Sequence, residues 1–198
     1  MNRSPLAASV PLALTVLRIV LAPVTVLLAL YRPSAAAFGA CLVTAILSDV
    51  FDGIVARRLG VATPALRRLD SAADSAFYIA ALYAVWHLQP HVITDRVFAL
   101  GVLAALEIAR YAFDLLKFGR EASYHMWSSK LWGIALFAGF VSVLVFGSAG
   151  VVVSLAIYVG IVADVEGLAI SLMLREWKSD VPTFVHAWKL RQLTSRAA

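Results

Sequence analysis

The chain has 198 residues, of which 62% are hydrophobic, and a formal net charge of +5. Its mean hydropathy is +0.85 and its pI is near 9.7. Soluble domains run at roughly 45–50% apolar residues and leave much of their surface in water, so this composition excludes an ordinary soluble fold and implies a single membrane-embedded domain over residues 1-198. Cys41 is the only cysteine, which excludes an intrachain disulfide.

Six apolar segments follow one another in chain order, each near the roughly 20 residues that a bilayer requires. They are expected at Val10–Tyr31, Ala35–Phe51, Leu69–Leu88, Arg96–Phe118, Leu131–Phe146 and Val151–Leu174. The first is too long for the core of a signal peptide, so it reads as mature structure. No long linker, low-complexity segment or internal repeat interrupts the series. The expected fold is all-α, a polytopic membrane protein with six transmembrane helices.

Basic residues orient such a chain. Arg3, Arg57, Arg58, Arg67, Arg68, Lys117, Arg120, Lys130, Arg175, Lys178, Lys189, Arg191 and Arg196 would lie on one side of the membrane, and only Arg32 and Arg96 on the other. This bias puts both termini in the cytoplasm. The positive charge is then explained by topology and by anionic lipid head groups, with no nucleic acid needed as partner. After the sixth span, Val181–Leu193 mixes Val, Phe, Trp and Leu with Lys, Arg and His. That pattern predicts a short interfacial helix at the C-terminus, or else a solvated tail.

Ionisable groups within spans are costly and mark function. Here they cluster. Asp49 and Asp52 close the second segment at i, i+3, and Asp70 and Asp74 open the third at i, i+4, so each pair shares one helix face. A short loop joins the two helices, which predicts antiparallel neighbours with both pairs at one depth near the cytoplasmic surface. Four carboxylates in a low dielectric repel strongly. Helix capping or pairing with Arg57, Arg67 and Arg68 accounts for one or two of them; divalent cations account for all four. An all-oxygen donor set favours Mg²⁺, Mn²⁺ or Ca²⁺, and paired metals suit phosphoryl chemistry. Gly53 and Ala56 keep the neighbouring surface small, Arg57 offers a fork for phosphate, and Thr63 adds a loop hydroxyl.

The pattern Asp49-x2-Asp52-Gly53-x2-Ala56-Arg57-x8-Leu66-x3-Asp70-x3-Asp74 resembles the signature of the CDP-alcohol phosphotransferases, D-x2-D-G-x2-A-R-x8-G-x3-D-x3-D, matching seven of eight fixed positions. Pro11, Thr15, Leu17 and Arg18 in the first span also look like the P-N-x-x-T-x-x-R opening of many members. Leu66 stands at the second family glycine, beside the nucleotide, and Leu12 at the usual asparagine.

The resemblance implies an enzyme of phospholipid biosynthesis in the cell membrane, with its active site facing the cytoplasm. It implies that Asp49, Asp52 and Asp70 hold two divalent cations, Mg²⁺ or Mn²⁺, and that Asp74 shares one and acts as the catalytic general base. Gly53, Ala56, Arg57 and Thr63 occupy the nucleotide-binding positions. The donor is a CDP-linked lipid, by family frequency CDP-diacylglycerol, with CDP-choline or CDP-ethanolamine as the other choices. The acceptor is a small alcohol, and members are commonly homodimers.

The acceptor site is less defined by sequence. Arg110, flanked by Glu107 and Asp114, reads equally as a buried ion-pair network or as a group facing an acceptor's phosphate. Lys130 and Arg175 are further acceptor-binding candidates that also serve as topology charges. Asp164 and Glu166, two apart, should point to different helix faces. Two readings from other classes stand beside this one. A divalent-cation transporter would place its site near the midplane, in internal repeats, and neither feature is present. A non-catalytic member that binds lipid or a partner is favoured by Leu66 alone.

Overall fold

The computed structural model describes residues 5–61, 63–121 and 124–196; Arg3 and the side chains of Arg67 and Arg196 lie outside that description. The described residues form helices and connections, without strands. The helices are α1 (Pro5–Tyr31), α2 (Ala35–Leu59), α3 (Pro64–Leu88), α4 (Pro90–Thr94), α5 (Val97–Phe118), α6 (Trp127–Leu144), α7 (Val151–Met173) and α8 (Phe184–Arg196).

Among the described residues, α1 over Ser9–Tyr31, α2, α6 and α7 are long and apolar enough to cross a membrane. The protein is therefore a helical membrane protein. Helices α3 and α5, of 25 and 22 residues, have the length for a span. Their charges set them apart: Arg68, Asp70 and Asp74 on α3, and Glu107, Arg110, Asp114 and Lys117 on α5.

Two compact units make up the chain, Met1–Ile93 with Phe140–Ala149, and Thr94–Gly139 with Gly150–Ala198. In the first unit, α1 packs along both α2 and α3, which touch each other only slightly. The expected α2–α3 pairing is thus mediated by α1. Its buried stripe is Pro11, Thr15, Arg18, Ala22, Thr25 and Ala29, at alternating intervals of four and three, while Leu12, Val16, Ile19, Val20 and Leu27 face outward. In water this pattern would be inside out. In lipid the outward Leu, Ile and Val match the solvent, and small or polar residues let helices approach and bond to one another.

Helix α2 runs to Leu59 rather than stopping at Phe51. Its end is a Schellman turn: Gly60, at φ 62°, donates from its N–H to the Arg57 carbonyl at 3.2 Å, and Val61 donates to the Ala56 carbonyl at 3.0 Å. A left-handed residue at this place favours glycine. The next helix begins at once, with Pro64 at its start and Thr63 as N-cap, whose hydroxyl accepts from the Leu66 N–H at 3.2 Å. Cap and turn together explain why α3 starts at Pro64 and not at Leu69. The pair of signature aspartates on each helix consequently lies about two turns inside the corner.

In the second unit, α5 packs on α7, and α7 on α8. The buried stripe of α7 is again small or polar: Ala156, Gly160, Ala163, Asp164, Gly167 and Ser171, with Ile157 and Ile170. Trp132 fills the groove at Gly160, where a Cβ would come within 2.5 Å of the indole Nε1. Lys117 donates to the carbonyls of Ser171 and Leu172 at 2.8 and 3.3 Å, placing a cation at the negative end of α7. Tyr124, Met126, Ile170, Leu174, Val181 and Ala187 form a buried cluster. Over α8, Ala187 is buried while Phe184, Val185 and Trp188 are exposed.

Candidate active site

The first unit gathers the signature carboxylates. One oxygen from each of Asp49, Asp70 and Asp74 lies within 4.8 Å of the others. Asp52 is set deeper, at 4% exposure, and joins them through α1. Arg18, at 1% exposure, donates to all four: Nη1 to Asp49 Oδ1 at 3.1 Å and to Asp74 Oδ1, and Nη2 to Asp52 Oδ2 and Asp70 Oδ1. Thr15, one turn earlier, donates its hydroxyl to the Pro11 carbonyl at 3.0 Å and sits 3.4 Å from Asp52 Oδ2. The planar guanidinium is suited to this task, since its donors fan out in one plane toward several carboxylates.

Arg18 is the residue that sequence reasoning left outside the site. Two signals pointed to it: it is an arginine within a span, and it belongs to the T-x-x-R opening of α1. Neither says that its side chain ends among aspartates from two other helices.

The carboxylates suit divalent cations. Four aspartates against one arginine leave three formal negative charges, and the donors are all oxygen, the set preferred by Mg²⁺ and Mn²⁺. Asp49, Asp70 and Asp74 keep 46%, 33% and 35% of their side-chain surface exposed, so a cation and its ligand can reach them. Asp52 and Arg18 form the closed floor.

The nucleotide-binding candidates flank this cluster along α2 and its corner. Arg57 is exposed and folds back over Gly53, where a Cβ would lie 3.2 Å from its Nη1. Ala56 is buried. Thr63 is committed to capping α3, and the half-buried Leu66 supplies the capped N–H.

The acceptor-binding candidates belong to the second unit. Arg110 bridges Asp164 Oδ1 from Nε at 3.1 Å and Glu107 Oε1 from Nη2 at 2.8 Å. Asp164 Oδ2 and Glu107 Oε2 have no hydrogen-bond partner among the described residues. Glu166 faces elsewhere, accepting from Ser128 Oγ at 2.5 Å and from the Phe184 N–H at 3.1 Å, as the spacing of Asp164 and Glu166 predicts. Lys130 is exposed, with its ammonium 4.4 Å from the Trp127 ring centroid. Arg175 is exposed just past α7.

The fold and site define a helical membrane protein with a carboxylate cluster on two successive helices, open on one side and composed of donors that suit a divalent cation. The family model of the CDP-alcohol phosphatidyltransferases matches residues 8–165, and the chain belongs to that family. Its members are transferases of substituted phosphate groups that use divalent cations. No curated protein and no solved structure matches the chain significantly.

Proposed function

We propose that the chain transfers a phosphatidyl group from CDP-diacylglycerol to a small alcohol, releasing CMP, as a step of phospholipid synthesis. The observation that carries this reading is the convergence of Asp49, Asp70 and Asp74 within 4.8 Å, with Asp52 tied to them through Arg18. Two divalent cations, Mg²⁺ or Mn²⁺, held by Asp49, Asp52, Asp70 and Asp74, would neutralise the donor's pyrophosphate and the charge that develops on phosphorus.

The residues then divide the work. Asp74, the second signature aspartate on α3 and open to solvent on one side, accepts the proton of the acceptor hydroxyl. The acceptor oxygen bonds to the phosphorus nearer the lipid, and the bond from that phosphorus to the CMP oxygen breaks. CMP leaves with the electron pair, and no covalent enzyme intermediate forms. Arg57 pairs with a donor phosphate, and Gly53 and Ala56 leave room for the nucleotide beside α2. The Thr63 hydroxyl, whose oxygen accepts the capping bond from the Leu66 N–H, keeps its own proton to donate to the nucleotide. Lys130 and Arg175, both exposed, are the candidates to supply positive charge for an acceptor that carries phosphate, and Arg110 would join them on exchanging Glu107 or Asp164 for that phosphate.

In the membrane, α3 and α5 join α1, α2, α6 and α7 as spans, which makes six, with both termini and the aspartates on the cytoplasmic side. Helix α8 lies on the membrane surface, with Phe184, Val185 and Trp188 toward the acyl boundary.

The test is CMP release by purified protein in detergent with CDP-diacylglycerol, Mg²⁺ or Mn²⁺, and alcohols offered one at a time. Release that requires both the metal and one particular alcohol supports the proposal and names the acceptor. Silence with every alcohol, followed by silence with CDP-choline and CDP-ethanolamine plus diacylglycerol, overturns it in favour of a non-catalytic member.

A further inference from the structure

The position of Arg18 goes beyond the signature. Among the described residues its guanidinium is the only basic group that forms an ion pair with the signature aspartates, and it pairs with all four. It is also buried to 1% exposure in a helix whose other buried residues, among those described, are Pro11, Thr15, Ala22, Thr25 and Ala29. A charge so placed is held by its partners, because an unpaired guanidinium in this environment is costly. The carboxylates have the complementary need. Without a cation among them, like charges from α2 and α3 would push the two helices apart.

We infer that Arg18 is the built-in counter-cation of the aspartate cluster. It clamps α2 and α3 onto α1 before metal arrives, and it competes with divalent cations for the same carboxylate oxygens, so that it sets their affinity. The inference rests on the proposed metal site and assigns a role to a residue outside the signature. Three features support it together. Nη1 and Nη2 each serve two carboxylates, one from α2 and one from α3, so the fork crosses the helix pair rather than serving one side. The oxygens that Arg18 engages on Asp49, Asp70 and Asp74 belong to the residues that a metal would use. Its Nε has no hydrogen-bond partner among the described residues, so the two Nη groups account for its polar contacts there.

Two consequences follow, of opposite sign. Removing the guanidinium should loosen the metal-free protein, since four carboxylates lose their common partner. The same change should tighten metal binding, since a competing positive charge is gone. A purely structural arginine predicts the first effect without the second; a residue that orients the metal ligands predicts weaker binding.

The experiment compares wild type, Arg18→Gln and Arg18→Lys in detergent, with melting temperature measured in chelator and Mn²⁺ affinity measured by electron paramagnetic resonance. For Arg18→Gln the expected results are a melting temperature lower by roughly 5 °C or more in chelator, and Mn²⁺ affinity raised about tenfold or more. Arg18→Lys keeps one charge but not the fork, so it should fall between on both measures. Should Arg18→Gln fail to fold even with Mn²⁺, Arg18→Lys decides: affinity equal to or below wild type overturns the inference. Unchanged or weaker Mn²⁺ binding by folded Arg18→Gln overturns it as well, while wild-type binding leaves the metal site standing. No saturable Mn²⁺ binding by wild type overturns the metal site and this inference together.

Discussion

The Nη2 of Arg18 donates to Oδ2 of Asp52 across 34 residues of sequence, and both side chains are sealed from solvent, at 1% and 5% exposure. Asp49 meets the same guanidinium at 3.1 Å, but with 46% of its side chain exposed. Breaking a sealed ion pair costs more than breaking an open one, because water can replace only the second partner. Asp52→Ala is therefore expected to cost more stability than Asp49→Ala, although each relieves some repulsion among the carboxylates that remain on Arg18. Denaturation in detergent and chelator measures both. Equal losses for the two variants would show that the depth of Asp52 does not matter to the fold.

Asp74→Asn changes the shape of the side chain little and removes its capacity to take a proton. Turnover should fall by at least about 100-fold, the usual worth of a general base, while the protein remains folded. CMP release, set beside circular dichroism and gel filtration of the same sample, gives the answer. A folded Asp74→Asn protein with near-normal rates would remove Asp74 from its assigned role.

Chelation should abolish CMP release, and Mg²⁺ or Mn²⁺ should restore it. Monovalent salt should not, since it brings no cation able to draw several carboxylates together. Persistent activity after exhaustive chelation and dialysis would mean that the carboxylates act as acids and bases alone.

Much of this site was legible in the sequence. Asp49, Asp52, Asp70 and Asp74 announce themselves because carboxylates are costly in apolar surroundings, and their helical spacing assigns each pair to one face. The corner between the helices was also written there, although a reading by hydropathy passes over it. An apolar window stops where polar residues begin, at Phe51, whereas the helix stops where its caps are. Those caps are Arg57 and Arg58 in the last turn, Gly60 after it, then Thr63 and Pro64. Arg18 was legible as an anomaly but not as a partner of the aspartates. Its place depends on how α1 lies against two other helices, and no local spacing records that. The same holds for Trp132 against Gly160, which is a contact between α6 and α7.

That contact gives a stability control remote from the carboxylates. In Gly160→Ala the added Cβ would sit 2.5 Å from the Trp132 indole nitrogen and 2.9 Å from Leu103 Cδ1. The ring is rigid and must shift as a whole, so overpacking should cost about 1–3 kcal/mol. A lower melting temperature with intact Mn²⁺ affinity is the expected pair of results. An unchanged melting temperature would mean that α7 moves freely away from Trp132.

Leu66 is, with Leu12, one of the two places where the chain departs from the pattern it resembles, and the structure gives that departure a local setting. The residue is in the first turn of α3, its N–H held by Thr63 Oγ1 at 3.2 Å and its side chain half-buried. The backbone bond does not depend on the side chain, so Leu66→Gly should retain the cap and cost about 1 kcal/mol of helix propensity. If the leucine crowds the nucleotide, its removal should also tighten CDP binding, read by calorimetry with Mn²⁺ present. Tighter binding would mark Leu66 as a restriction on a pocket of the usual family shape. A marked loss of CDP affinity in the folded variant would show instead that the leucine is a wall of a differently shaped pocket, with the nucleotide packed against it.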